Sequence, residues 1–365
     1  MINVKTFGTQ ILALLYTPIL VACSSSGEES GRERRMSSSS AIDSLRAALP
    51  EVTLGQNDSV FVSEPSALAV TNSSIFVADA GTSTILVYDR AGTFRNRVGR
   101  RGKGPGEFQA PAVMATTETG LVVVDAALQR LTLVDEQGAK PHAQVIPAQA
   151  MSVGSGPTGL LLGAQDVPSK SSVLLVNLAD SSMRRFGPLP LDLVKNPQIA
   201  SSYPFSIVTY AAGHVLVGFT GSSWLYRIRL DGTVVDSTQT VARLRRGVPN
   251  DLGERLRKSR SPESEAMSTS MLIMLAPLSR NRIGTVHMDF VVDGPAVSGK
   301  AYFSALDNSL RPLCTDVVIP LLSDTRPMFS FRSDTLLVVQ NRLSGEAAVS
   351  TLVTSFDTST ANCAS

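Results

Sequence analysis

The chain has 365 residues, 43% of them hydrophobic, a formal charge of +2, and no internal apolar run of membrane-spanning length. That length can bury one large core or two ordinary ones, and the small net charge excludes a polyanion binder acting by bulk charge, so any basic surface must be local. Aromatic residues make up 5%, there is one Trp, and three His leave little imidazole for catalysis or metal binding.

Lys5 gives a weakly positive start, Ile11 to Ala22 is an apolar segment of signal-peptide length, and it closes on Leu20-Val21-Ala22-Cys23. That tetrapeptide resembles the bacterial lipobox, in which a small residue precedes the cysteine that takes lipid and becomes the mature N-terminus. The resemblance implies a signal peptide over 1–22, lipid (diacylglycerol and palmitate) on Cys23, and attachment to a membrane. The alternatives are an uncleaved anchor and a plain secretory signal followed by an incidental cysteine. Three acyl chains hold firmly where one binds only marginally. Removing Lys5 with the signal lowers the formal charge from +2 to +1. Ser24 in place of Asp after the cysteine implies, by resemblance to Gram-negative sorting, the outer membrane.

Residues 23–40, rich in Ser and mixed charge, form a tether of about 23 Å root-mean-square span if they behave as a flexible coil. Over 41–51, Ile42, Leu45 and Leu49 lie near helical spacing before Pro50, which predicts a short helix or a lead-in. From Val52 the pattern changes to short β-rich runs separated by turn residues. Ile75 to Ala78 and Ile85 to Tyr88 read as strands, Thr93 to Val98 as another, and Gly99 to Gly106 as a crossover reaching Pro111.

The VAD of residues 77–79, the VYDxxGxF of 87–94 and the GxGxGEFxxP of 102–111 resemble an NHL-type propeller repeat, a ring architecture shared with TolB-like proteins. The resemblance implies a fold, not an activity. Later apolar runs ending in a turn repeat the unit, with marker aspartates at Asp89, Asp135, Asp180, Asp231, Asp307 and Asp357. Their separations of 46, 45, 51, 76 and 50 residues match four-stranded propeller blades apart from one insertion. A second strand precedes each marker, beginning at Ile75, Leu121, Leu160, Val215, Ile283 and Leu336. The expected fold is all-β, a six-bladed propeller over 52–358 with a tail at 359–365. Residues 52–62 either begin a seventh unit or supply the outer strand of the last blade, closing the ring.

The insertion, 243–265, has seven basic residues between Arg243 and Arg260 against Asp251 and Glu254, and Asn250 or Asp251 would cap a short helix there. Arg245, Arg246 and Arg257, together with Arg95, Arg97, Arg100, Arg101 and Lys103, form a candidate surface for an anionic partner, with a solvated face as the alternative. Gly99 to Gly106 lacks the context of a phosphate-binding loop and reads as a junction. Asp79 and Asp125 recur at the end of the second strand and read as turn caps or as channel carboxylates. His142, His214 and His287 share no ligand spacing, and no Ser-His-Asp, HExxH or CxxC motif occurs. Cys314 and Cys363 form a candidate disulfide or two unrelated thiols. Gluconolactonase- and paraoxonase-like enzymes share this ring and use calcium; Asp79, Asp125 and Asp289 are conceivable counterparts without a residue-by-residue match. The leading expectation is a non-catalytic binding or scaffolding lipoprotein of the bacterial envelope that needs no cofactor or metal and binds an envelope protein or small ligand, not nucleic acid. The alternative is a calcium-dependent hydrolase or lyase working in the central channel.

Overall fold

The computed structural model describes residues 44–55, 60–117, 120–135, 141–195, 197–203, 205–239, 251, 254–255, 258, 270–293, 296–322, 327–344 and 347–359. The signal peptide, Cys23, the tether, Cys363 and the insertion residues Arg245, Arg246 and Arg257 lie outside the described residues.

Six four-stranded antiparallel sheets follow one another along the chain. Blade 1 is β2 (Pro65–Val70), β3 (Ser74–Asp79), β4 (Thr84–Asp89) and β5 (Phe94–Val98), listed from the innermost strand outward. Blade 2 is β6 (Pro111–Thr117), β7 (Gly120–Asp125), β8 (Arg130–Val134) and β9 (His142–Val145). Blade 3 is β10 (Val153–Gly156), β11 (Gly159–Asp166), β12 (Ser171–Val176) and β13 (Met183–Pro188). Blade 4 is β14 (Ser206–Ala211), β15 (His214–Phe219), β16 (Ser222–Ile228) and β17 (Val234–Gln239). Blade 5 is β18 (Ser270–Leu278), β19 (Arg282–Asp293), β20 (Ala296–Leu306) and β21 (Pro312–Ile319). Blade 6 takes β22 (Met328–Arg332), β23 (Thr335–Ser344) and β24 (Ala347–Asp357) from the end of the chain and its outer strand, β1 (Arg46–Leu54), from the beginning. The protein is therefore a six-bladed β-propeller of four-stranded blades.

The helix expected over 41–49 is absent from its described part. Of Leu45 and Leu49, which suggested helical spacing, Leu49 instead lies in β1, which pairs along β24 from Arg46 opposite Asp357 to Leu54 opposite Thr351, and Leu45 immediately precedes that strand. Pro50 is tolerated because β1 is an edge strand interrupted by register shifts. The closing strand thus comes from the N-terminus as expected, but it starts at Arg46 instead of Val52. The chain before it is also tied down: Ser44 bridges Val318 on β21, and the Leu45 amide donates to the Val318 carbonyl at 2.8 Å. After it, the Gly55 amide donates to the Gly92 carbonyl of blade 1 at 2.7 Å. Gly92 has φ +86°, and a Cβ there would collide with the Thr53 carbonyl, so glycine is required at this seam.

The core explains why the strands read as unbroken apolar runs rather than alternating ones. Six buried clusters occur among the described residues, one at each junction between neighbouring blades. In β7, Leu121 and Val123 pack toward blade 1, and Val122 and Val124 toward blade 3. In β3, Ile75 and Val77 face blade 6, and Phe76 and Ala78 face blade 2. Each sheet is apolar on both faces because each face meets a neighbour. The crossover from blade 3 to blade 4 adds α1 (Leu191–Lys195) and α2 (Pro197–Ser202), which the sequence reading did not foresee; Leu193, Ile199, Ala200 and Tyr203 are buried there against both blades. Within the insertion, the Glu254 and Arg255 amides donate to the Asp251 carbonyl, giving one helical turn at the expected place.

Tyr88 lies wholly inside the junction of blades 6 and 1, with its hydroxyl unpartnered among the described residues. Burial, reinforced by Asp79, pushes its phenol up to about 12. The folded state therefore keeps a proton that the unfolded chain loses near pH 10, so stability should fall as the pH rises from 10 towards 12. Tyrosinate absorbance should show one late-titrating phenol that Tyr88→Phe removes. Leu54, 1% exposed on β1, should lose about 3 kcal/mol in urea unfolding on substitution by Ala, while Leu49→Ala on the same strand, 54% exposed, should change stability by under about 0.5 kcal/mol.

Candidate functional site

Antiparallel pairing puts the second-to-third-strand turns and the blade-to-blade crossovers at one end of the ring, and the remaining turns at the other. Asp79 and Asp125 both stand at the crossover end, and both are fully buried. Asp79 accepts from the Glu64 amide and the Ser63 hydroxyl at 2.8 Å each, the Thr82 hydroxyl at 2.9 Å, the Gly81 amide at 3.1 Å and the Ser63 amide at 3.2 Å. Asp125 accepts from the Gln109 amide at 2.6 Å, the Leu128 amide at 3.0 Å and the Ala110 amide at 3.2 Å. Each carboxylate caps its own turn and also fastens the incoming crossover just before the innermost strand begins at Pro65 or Pro111. Elsewhere the fastening uses other groups. Thr220 donates to the Phe205 carbonyl at 3.0 Å, and Gln340 accepts from the Leu322 amide at 3.4 Å. The turn-cap reading of Asp79 and Asp125 therefore holds in an extended form, and their oxygens are occupied.

The crossover 99–110 is internally satisfied. The Gly104 amide and the Arg100 Nε both donate to Glu107 at 2.8 Å, and these contacts hold the Glu107 carboxyl below its ordinary value. The Gly102 amide donates to the Phe108 carbonyl, and Arg130 of blade 2 donates to the Lys103 and Glu107 carbonyls. Two of the amides that a phosphate cradle would present are thus committed to the protein. What the crossover shows to solvent is cationic: Arg95, Arg97, Arg100, Arg101 and Lys103 are all exposed. Arg95 and Arg97 share one side of β5 by strand alternation. Arg95 stands 3.9 Å from Asp89, a weak exposed pairing, and Arg101 donates to the Gly81 carbonyl at 2.8 Å. Arg100, Arg101 and Lys103 stand on the crossover and Arg97 on β5 close to it, whereas Arg95 lies at the start of β5 beside Asp89; the three insertion arginines expected beside them lie outside the described residues.

The six innermost strands, PSALAV, PAVMATT, VGSG, SIVTYA, SMLIMLAPL and MFSFR, contain no Asp, Glu, His or Lys, and their one formal charge is Arg332. No group of three or more His, Cys, Asp or Glu that could hold a metal occurs among the described residues. Asp289 is held locally, accepting from the Ser270 hydroxyl at 2.7 Å. His142 is exposed, and His214 contacts the Ala212 carbonyl at 2.9 Å through Nδ1. His287 is buried in blade 5, stacked on Tyr302 at 5.1 Å with its Nε2 3.5 Å from Asp316. That pair was invisible in the sequence because Asp316 reaches inward from an irregular, positive-φ position on β21. Arg130 was missed for the same kind of reason, since its carbonyl partners lie more than twenty residues upstream. Cys314 is buried and disulfide-bonded; Cys363 lies outside the described residues, so its pairing with Cys314 is a proposal.

The family model DUF5128, described as a 6-bladed β-propeller, matches residues 38–138, from before β1 through β8. A member of the DUF4221 family from Bacteroides vulgatus is similar at a TM-score of 0.62 with 12% identity, over 86% of this chain and 97% of that one. A Bacteroides fragilis protein thought to be exported is similar at a TM-score of 0.58 with 12% identity, over 87% of this chain and 96% of that one. These likenesses extend to the fold. No curated protein matches the chain.

If Asp79 is a structural fastening, Asp79→Ala should leave several buried donors unpaired and cost about 3 kcal/mol or more in urea unfolding, whereas Lys103→Ala at the same end should cost under about 0.5 kcal/mol. Unchanged or increased stability in Asp79→Ala would mark the carboxylate as reserved for a ligand.

Proposed function

We propose that this protein is a non-catalytic binding or scaffolding lipoprotein of the bacterial envelope, anchored through Cys23 and recognising an anionic envelope component at blade 1. The observation that supports this most is the division of charge in the ring. Apart from Arg332 the innermost strands carry no formal charge, the buried aspartates at the crossover end are spent on backbone amides, and the cations of Arg95, Arg97, Arg100, Arg101 and Lys103 are exposed on β5 and the crossover that follows it. Arg245, Arg246 and Arg257 extend the same charge by sequence. A calcium-dependent hydrolase or lyase is less favoured, because Asp79, Asp125 and Asp289 belong to different blades and are engaged locally, the first two by the crossover entering their blade and the third by Ser270 of its own.

The lipobox-like Leu20-Val21-Ala22-Cys23, the polar stretch behind it and the NHL-like unit of blade 1 fit an exported module held above a membrane. The likeness to a Bacteroides protein thought to be exported is in keeping with that placement. A disulfide between Cys314 and Cys363 suits an oxidising compartment and would tie the tail to blade 5.

Cys23→Ala should move the protein from the membrane fraction to the soluble fraction on cell fractionation; continued sedimentation with membranes would exclude lipidation as the anchor. In that soluble background, Arg95→Glu, Arg97→Glu and Lys103→Glu combined should weaken binding to isolated outer-membrane fragments at least tenfold at low salt, since each cation near an anionic surface contributes about 1 kcal/mol. Equal binding by the triple variant would remove the basic strip from the recognition surface.

A further inference from the structure

At the end of the ring opposite the crossovers, three turns converge where blade 6 meets blade 1. The turn after β2 carries Asn72, the turn after β4 carries Arg90, and the turn after β22 begins at Arg332. Arg332 is exposed and donates to the Asn72 Oδ1. Arg90 is partly buried, and its Nη1 is shut off from solvent with no hydrogen-bond partner among the described residues. The two guanidiniums are close enough that Arg332, after burial itself, pushes the Arg90 pKa down.

Neither arginine makes an ion pair with a carboxylate among the described residues. Nearby acids are committed elsewhere. Asp89 accepts from the Thr93 amide at 2.9 Å and the Ala91 amide at 3.0 Å and faces Arg95. Asp334 holds the Ser279 amide and the Arg282 guanidinium at 3.0 Å. Two like charges held together by turns whose positions the blades dictate, one of them partly desolvated, are unfavourable unless an anion shares them. Guanidinium forks suit the planar edges of phosphate and sulfate groups, and Asn72, with its oxygen engaged, has an amide nitrogen left to donate.

We propose that Arg90, Arg332 and Asn72 form an oxyanion site, for a phosphate or sulfate group, that bridges the last blade to the first. The site lies at the opposite end of the ring from Arg100, Arg101 and Lys103, and occupation stabilises the ring across its closing seam by mass action.

Thermal unfolding of the mature full-length protein in detergent, in inorganic phosphate against chloride at constant ionic strength, tests this. Phosphate should raise Tm saturably by about 3 °C. Arg332→Gln should abolish that response while leaving the Tm in chloride unchanged or higher, because a repulsion is relieved. Asn72→Asp should raise the Tm in chloride and abolish the phosphate response, because a fixed carboxylate takes the ligand's place. Lys103→Gln, at the crossover end, should respond as the native protein does. No saturable difference between phosphate and chloride, or a normal response in Arg332→Gln, would overturn the site. Sedimentation of the Cys23→Ala protein with phosphatidylglycerol vesicles assigns the source: binding lost in Arg332→Gln and competed by free phosphate supports a lipid headgroup, and Arg332-independent sedimentation beside an intact phosphate response supports a soluble phosphate.

Discussion

Every blade of this protein has two apolar faces, and no blade can cover both alone. The interior is therefore six separate interfaces arranged in a circle, each made by alternate residues of one sheet packed against alternate residues of the next. A row of such sheets would end in two exposed apolar faces, and closing the row removes both. The requirement for closure explains why β1 travels to blade 6, why Ser44 and Leu45 attach to blade 5 on the way, and why Gly55 fastens to blade 1 on leaving. One short N-terminal segment touches three blades.

The fold was legible because its signals are local. Third strands that end in, or are followed within four residues by, a turn-capping aspartate are visible at Asp89, Asp180, Asp231, Asp307 and Asp357, and the structure shows why: each accepts one or more backbone amides two to four residues on. The 76-residue interval correctly marked an insertion between blades 4 and 5. The misreading at 41–49 has an equally local cause. Over nine residues, Leu45 and Leu49 satisfy helical spacing by chance, while the pairing that makes the segment a strand is with Thr351 to Asp357, some three hundred residues away.

The candidate site was less legible, since its residues do long-range work. Asp79 looked like a turn cap and is one, but its contacts with Ser63 and Glu64 also set the entry to the innermost strand. The same task passes to Thr220 and Gln340 in later blades, so the motif fades from the sequence while its role persists. Arg130, the His287–Asp316 pair and the Arg90–Arg332 pair depend on packing between turns that no spacing rule connects. Charge follows from this architecture. The buried carboxylates of Asp79 and Asp125 are consumed in joining blades, and cations stand exposed on β5, its crossover and the turn after β22.

The claim on which the rest depends is that β1 closes the ring and shares its stability. Native-state hydrogen exchange measures this directly, through the amides of β1 that pair with β24 and those of β23 behind them. The account predicts that the paired β1 amides open only with the global unfolding of the ring, at the same free energy as β23. Exchange of the β1 amides at near-unprotected rates while β23 remains protected would show that blade 6 stands without its N-terminal strand, and would contradict closure as the organising constraint.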